Sequence, residues 1–428
     1  MVLAQKQAIK LIILDPGHGH ATYMQGRMYE GLDPVVHVYA PAGPDVESYL
    51  NSINRSNSRS SNSTKWKIVL YKGTDYLEKM LADKKGNAVI ISGNNSKKAN
   101  YIRRSIEAGL HVLADKPLAV TPEDFEKLKE SFILAAKKNV LLFDPMDLRY
   151  DISNILQREL ASTKELFGTL KKGSIDEPSL IQANLHHFLK FSGTEPAIRP
   201  AWFFDVEQQG HGIADVSTHL VDMTQWAAFP DQILNAKKDI KILSSKEWPT
   251  NLTPSEFKLV TRVGYPNYLK KYLKDSILSV YANGEINYTI KGIHSKVSVL
   301  WKYKEPVGSG DTHYALMRGT KANLELRQDA EEQHKATLYI KAAAGISSDD
   351  FSKTIDQVKL KFQQKYPGFD LIKKGNEYVV KPGTFKVSNS AEIAISYILD
   401  NKMPVWEVPN LIAKYYTTTG AIRNIKRD

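Results

Sequence analysis

At 428 residues the chain is longer than one ordinary core accommodates, so two domains are expected. Apolar residues make up 42% and charged residues 25%, a soluble globular profile, and no apolar run approaches the ~20 residues of a membrane-spanning helix. Cysteine is absent, which excludes disulfides, thiolate metal sites and cysteine nucleophiles; the net charge of +11 is spread among interleaved acids, as in Glu123–Glu130, with no basic stripe to predict a nucleic-acid partner.

The opening Met1–Gln7 is short and polar and carries no signal-peptide pattern. It reads either as the start of a cytoplasmic chain or as the stub of an exported, periplasmic one behind an added Met. Ile9–Leu14 is a buried-strand run ending in Asp15-Pro16-Gly17-His18-Gly19-His20, and Val35–Ala40 is a second strand stopped by Pro41. Asn51–Lys65 is rich in Ser, Asn and Arg and reads as a mobile loop. Trp66–Tyr71 then predicts a strand, Asp75–Lys84 a helix, Ala88–Ser92 a strand and Ser96–Ala108 a helix that Gly109 stops. His111–Ala114 is the next strand. Thr121-Pro122-Glu123-Asp124 caps a helix to about Lys138, and Val140–Phe143 closes the series.

Strand and helix alternating at this spacing predict a doubly wound parallel sheet, a dinucleotide-binding Rossmann domain over residues 1–148. Beyond it, one helix (Ile152–Leu160) precedes strands at Ser179–His187, Ile277–Ala282, Glu285–Lys291, Ser295–Lys302, Ala322–Leu326 and Ala336–Ile340. Strands without intervening helices predict a C-terminal α+β domain over 149–428 with a large, open, mostly antiparallel sheet. Residues 345–383 read as an inserted helix and hairpin, and helices are expected at Ser390–Asp400 and Pro409–Arg423.

Ligands of such sheets bind beyond the carboxyl ends of the strands. Two registers of the turn after the first strand, Gly17-x-Gly19-x-x-Thr22 and Asp15-x-Gly17-x-x-His20, imitate the glycine fingerprint for a pyrophosphate at a helix N-terminus, and neither supplies three glycines. The acid expected at the end of the second strand is missing. Asp45 could reach ribose hydroxyls, or Arg55 and Arg59 a 2′-phosphate. The segment Glu107-Ala108-Gly109-Leu110-His111-Val112-Leu113-Ala114-Asp115-Lys116-Pro117 places Lys116 just past a buried strand, at the ligand-binding edge.

That segment resembles the Ala-Gly-x-His-Val-x-x-Glu-Lys-Pro signature of the Gfo/Idh/MocA oxidoreductases, with Asp115 in place of Glu. Val89–Asn95 resembles the family's loop beside the nicotinamide ribose, Asn95 matching its Asn and Lys98 replacing its His. Gly210-His211-Gly212-Ile213-Ala214-Asp215-Val216-Ser217-Thr218-His219 resembles its Gly-rich turn followed by Asp-x-x-x-His, and the four-residue spacing predicts that Asp215 and His219 share one helical face.

The resemblance implies an NAD(P)-dependent dehydrogenase or reductase acting on a sugar, cyclitol or glycoside, with NAD slightly preferred as cofactor. It implies Lys116, Asp215 and His219 as catalytic residues, His219 taking the substrate proton because imidazole titrates near neutral pH. Gly17, His18, Gly19, His20, Asn94, Asn95, Asp115 and Lys116 are the candidate cofactor-binding residues. His187, Lys190, Trp202 and His211 are candidates for the substrate, with Arg149, Tyr150, His186, Asp311 and His313 as further ones. No metal-ligand spacing is present, so no metal site is expected. A homodimer or homotetramer is expected by analogy. Two alternatives share the fold: glycoside cleavage by transient oxidation, and ligand sensing without catalysis.

Overall fold

The computed structural model describes residues 8–192, 195–306, 310–384 and 387–427; the segment Met1–Gln7, on which the reading of the chain's start rests, lies outside them. The chain forms two compact units. The first comprises the described residues up to Pro145 together with Arg199–Gly210 and Asn389–Leu411; the second comprises Met146–Ile198, His211–Ser388 and the chain from Ile412 onward. The chain first passes between the units after Pro145, and two later segments return to the first unit.

In the first unit, β1 (Leu11–Leu14), β2 (Val35–Ala40), α1 (Pro44–Asn57), β3 (Lys67–Lys72), α2 (Tyr76–Asp83), β4 (Ala88–Ile91), α3 (Asn95–Glu107), β5 (His111–Ala114), α4 (Pro122–Lys138) and β6 (Leu142–Phe143) follow in sequence. All strand pairs are parallel, in the order β3-β2-β1-β4-β5-β6. This is the Rossmann order, with its switch point between β1 and β4. Every residue of β1 and β4 is buried, as expected of strands covered on both faces.

Two local expectations fail. The stretch read as a loop from Asn51 is helical to Asn57, because Val46, Tyr49 and Ile53 repeat at helical spacing and bury one face of an otherwise polar helix. After β1 the chain forms only a 3-10 helix, Gly19–Gln25, not the α-helix whose N-terminus was expected to meet a pyrophosphate.

The second unit begins with α5 (Ile152–Ser162) and β7 (Leu180–Leu189), then α6 (Ser217–Ala228), β8 (Ile240–Leu252), β9 (Ile277–Ile290), β10 (Ile293–Lys304), β11 (Thr312–Arg318), β12 (Ala322–Gln328) and β13 (Thr337–Ala342). Residues 345–383 supply α7 (Ser348–Lys365) and the hairpin β14 (Asp370–Lys374) and β15 (Glu377–Lys381). With β16 (Ile425–Arg427) and the two-residue strand Leu273–Lys274, these strands form one 11-stranded sheet: ten lie in the order β14-β15-β13-β12-β11-β7-β10-β9-β8-β16, and Leu273–Lys274 pairs beside β9. Among the described residues, only β7–β10 and β8–β16 pair in parallel, so the sheet is mostly antiparallel. The hairpin joins the sheet because Tyr378 and Val380 bury against the apolar side of α7, which carries Phe351, Ile355, Val358 and Phe362.

The sequence reading split β9 at Ala282–Gly284. The strand is continuous there because Asn283 is buried, donating to the carbonyl of Trp248 at 3.0 Å and accepting from the N–H of Trp301 at 2.6 Å. Gly284 lies where a Cβ would stand 2.1 Å from Ile213 Cγ2. Strand β8 went unread, since register shifts after Ile242 and Trp248 break the alternation that announces a strand.

Beneath the sheet, Arg149 grips Asp222 of α6 through two bonds of 2.6 Å, and Lys414 adds a third at 3.0 Å. Burial by itself would raise the Asp222 carboxyl, but the two cations outweigh it and hold the group below the usual carboxylate range. A depressed folded pKa contributes stability above the unfolded value of about 4, lost as pH falls through and below it. Asp222→Asn is expected to cost about 3–5 kcal/mol, by leaving two buried cations uncompensated, and to flatten the acid limb of the stability–pH curve; urea unfolding at about pH 7 and about pH 2 measures both.

Candidate active site

The switch-point edge of the first sheet is built by close approach of two loops. Gly17 and His18 both donate their backbone N–H to the carbonyl of Ser92, at 2.9 and 3.2 Å. On the facing loop, a Cβ on Gly93 would stand 2.3 Å from the carbonyl oxygen of Asp15. Only glycine permits this approach. Asp15 itself adopts a left-handed backbone, and its carboxylate accepts from Tyr101 at 2.7 Å and Lys97 at 2.8 Å.

Gly17 forms the floor of a cradle. A Cβ there would meet Asp45 Oδ2 at 3.0 Å, Gly93 Cα at 3.3 Å and the Trp202 ring at 3.3 Å, whereas one on Gly19 would meet nothing within 4 Å. Asp45 lies in the first turn of α1, and Trp202 Nε1 donates to its Oδ2 at 2.8 Å. Burial raises the Asp45 carboxyl, against the pull of that hydrogen bond. Asp45, five residues past the end of β2, brings a carboxylate to this edge. Arg55 lies at the far end of α1, about 15 Å along the helix from Asp45. Arg59 is engaged with the carbonyl of Gly26 at 3.0 Å, so the expected 2′-phosphate contact finds no support.

Past β5, the half-buried Asp115 and Lys116 stand at the same carboxyl edge. His18 Nδ1 and His20 Nδ1 approach the two Asp115 carboxylate oxygens at 3.0 and 2.8 Å. Burial alone would raise Asp115, but His20 and His18 hold it well below the usual carboxylate range, and burial in turn lowers His18. Lys98, in place of the expected His, is buried and donates to the carbonyl of Asp115 at 2.6 Å, holding the turn that presents Lys116. Asn94 caps α3 and donates to Gln208 Oε1 at 2.7 Å; Asn95 donates to the carbonyl of Gln209 at 2.7 Å. Both amides thus tie the β4 loop to the segment carrying Trp202. No local pattern marked Gln208 or Gln209.

In the second unit, α6 begins at Ser217, two residues past Asp215. Asp215 sits in the preceding turn, its N–H on the carbonyl of His211 at 2.9 Å, while His219 lies in the first turn of the helix. The turn is forced because Gly212 passes under β9, where a Cβ would stand 1.9 Å from the carbonyl oxygen of Ala282. His211 pairs with the fully buried Glu247 at 2.8 Å.

His187 and Lys190 lie at the end of β7 with His186, and all three face Asp311: His186 Nδ1 at 2.7 Å, His187 Nδ1 at 3.6 Å, and Lys190 in a short ion pair. Burial would raise Asp311, but His186 and Lys190 bring it below the usual range. His313 accompanies this group on β11, bonded to Gln182 at 2.9 Å, with burial lowering its imidazole to about 4. Of the expected substrate residues, Trp202 thus belongs to the first unit and His187, Lys190 and His211 to the second. Arg149 is committed to the buried pair with Asp222.

Residues 21–145 match the model of the "Oxidoreductase family, NAD-binding Rossmann fold", and residues 156–426 match that of the "Putative oxidoreductase C terminal domain". The chain belongs to the Gfo/Idh/MocA oxidoreductase family. A crystal structure of a "putative oxidoreductase" from Parabacteroides merdae is 44% identical, covers 98% of this chain and 97% of its own, and superposes with a TM-score of 0.95. A 3-ketoreductase from Actinomadura kijaniata, in complex with NADP and TDP-benzene, shares the fold at 12% identity, with 98% and 99% of the two chains covered and a TM-score of 0.58. An uncharacterised oxidoreductase of Schizosaccharomyces pombe is 26% identical over 147 residues, 34% of this chain and 35% of its own length.

The Gly17 cradle and the acid beside it fit a dinucleotide, whose pyrophosphate requires close backbone approach and whose ribose hydroxyls require a carboxylate. Gly17→Val is expected to weaken NAD binding at least about tenfold, roughly 1.4 kcal/mol, while Gly19→Ala leaves it unchanged; isothermal titration of the two variants tests the cradle.

Proposed function

We propose that this protein is an NAD-dependent oxidoreductase transferring a hydride between the nicotinamide and an alcohol or keto carbon of a sugar, cyclitol or glycoside. The observation that carries the reading is Lys116, half-buried immediately past β5 at the ligand-binding edge of a Rossmann sheet and braced through Asp115 by the buried Lys98. Asp45 supports NAD over NADP, since a carboxylate at the ribose repels a 2′-phosphate.

The cofactor, when bound, supplies or accepts the hydride. Gly17, Gly19, His18, His20, Asn94, Asn95 and Asp115 would form its binding edge, with Asp45 on the ribose. Lys116 donates a hydrogen bond to the reacting oxygen and stabilises negative charge developing there. His219 Nδ1 or Nε2 takes the hydroxyl proton as oxidation proceeds and returns it on reduction. Asp215 orients substrate or imidazole. His187, Lys190 and His211 hold further hydroxyls, and Trp202 offers an aromatic face. A carbohydrate-like substrate agrees with this supply of paired donors and acceptors. The chain is also proposed to assemble as a homodimer or homotetramer through its second unit.

His219→Ala and Lys116→Ala are each expected to lower kcat/KM by about 10²–10⁴-fold with NAD affinity retained. Steady accumulation of reduced nicotinamide absorbance with sugars or cyclitols is the measurement. Full activity in either variant would sink the assignment.

A further inference from the structure

His18, His20 and Asp115 bring three metal-ligating side chains to one point, each offering a donor atom within 4.8 Å of the others. His18 Nδ1 stands 3.0 Å from Asp115 Oδ2, and His20 Nδ1 2.8 Å from Asp115 Oδ1. His18 Nδ1 also accepts the backbone N–H of His20 at 3.4 Å. The imidazole–carboxylate contacts gather these donor atoms at one point, and a divalent ion that displaces the bridging protons is bound by the same atoms.

The donor set indicates which cation. Two imidazoles and one carboxylate on one face leave open positions for water or ligand oxygen, a donor set that suits divalent first-row ions. The support behind the donors is also in place. Ser92 Oγ donates to Asp115 Oδ2 at 3.3 Å, and Lys98 holds the Asp115 backbone. Such outer partners orient metal ligands.

We propose that His18, His20 and Asp115 form a binding site for a six-coordinate divalent transition-metal ion of the Mn²⁺, Fe²⁺ and Co²⁺ class. The site goes beyond hydride transfer and is tested apart from it. The full-length chain, stripped with a chelator, is titrated with Co²⁺ by calorimetry and visible absorbance.

One equivalent is expected to bind saturably, with the weak absorption bands of six-coordinate cobalt. His18→Ala, His20→Ala and Asp115→Asn should each weaken binding at least about tenfold, with native circular dichroism. Absence of saturable binding in the unmodified chain overturns the proposal, as does binding that survives His18→Ala combined with His20→Ala. If a variant does not fold, ¹H–¹⁵N spectra of the unmodified chain with Zn²⁺ decide. Shifts at Nδ1 of His18 and His20 support the site, and shifts confined to other histidines sink it. NAD affinity is measured separately, so failure of the metal site leaves the hydride-transfer reading intact.

Discussion

At the switch point of the first sheet, two loops approach until their backbones touch, and the rest of that edge follows from this contact. The N–H groups of Gly17 and His18 are both spent on Ser92, and Gly93 lies beneath Asp15 with no room for a side chain. With its backbone committed, the turn projects His18 and His20 onto Asp115 at the end of β5. The same approach packs Gly17 tightly among Asp45, Gly93 and Trp202. A defective glycine fingerprint is thereby compatible with the Rossmann edge: Gly17 and Gly93 allow the close approach, and a carboxylate stands nearby on the helix after β2.

The second unit solves a different problem, keeping charge inside an extended sheet and its helices. Asp222 is held by two cations and the fully buried Glu247 by one imidazole. Removing one member of such a pair costs more than the pair itself contributes, because the partner stays desolvated. Asp311, by contrast, is only partly buried and gathers His186, His187 and Lys190 at the mouth of β7. Polar groups that converge while keeping access to solvent are suited to bind hydroxyls, whereas the Arg149–Asp222–Lys414 group is suited to hold a helix.

Much of this was legible locally. The Thr121 cap, the Gly109 stop and the apolar runs of β1, β4 and β5 are short-range signals, and each element formed where its chemistry indicated. The misreadings arose where a tertiary contact overrode the local pattern. Polar α1 is a helix because three apolar residues bury, β9 runs through Gly284 because Ile213 packs there, and β8 is hidden by its register shifts.

By itself the sequence determined the strand–helix alternation of the first unit, the antiparallel character of the second and the position of Lys116 at a strand end, since each depends on residues within one turn or one pleat of another. Only the tertiary structure decided that Asp45 meets Trp202, that Lys98 braces Asp115, and that His18 and His20 close on the Asp115 carboxylate, 95 residues beyond His20. Those pairings are set by strand order and loop approach. They couple residues that share no local pattern, and the packing that joins them exists only once the parallel sheet has formed.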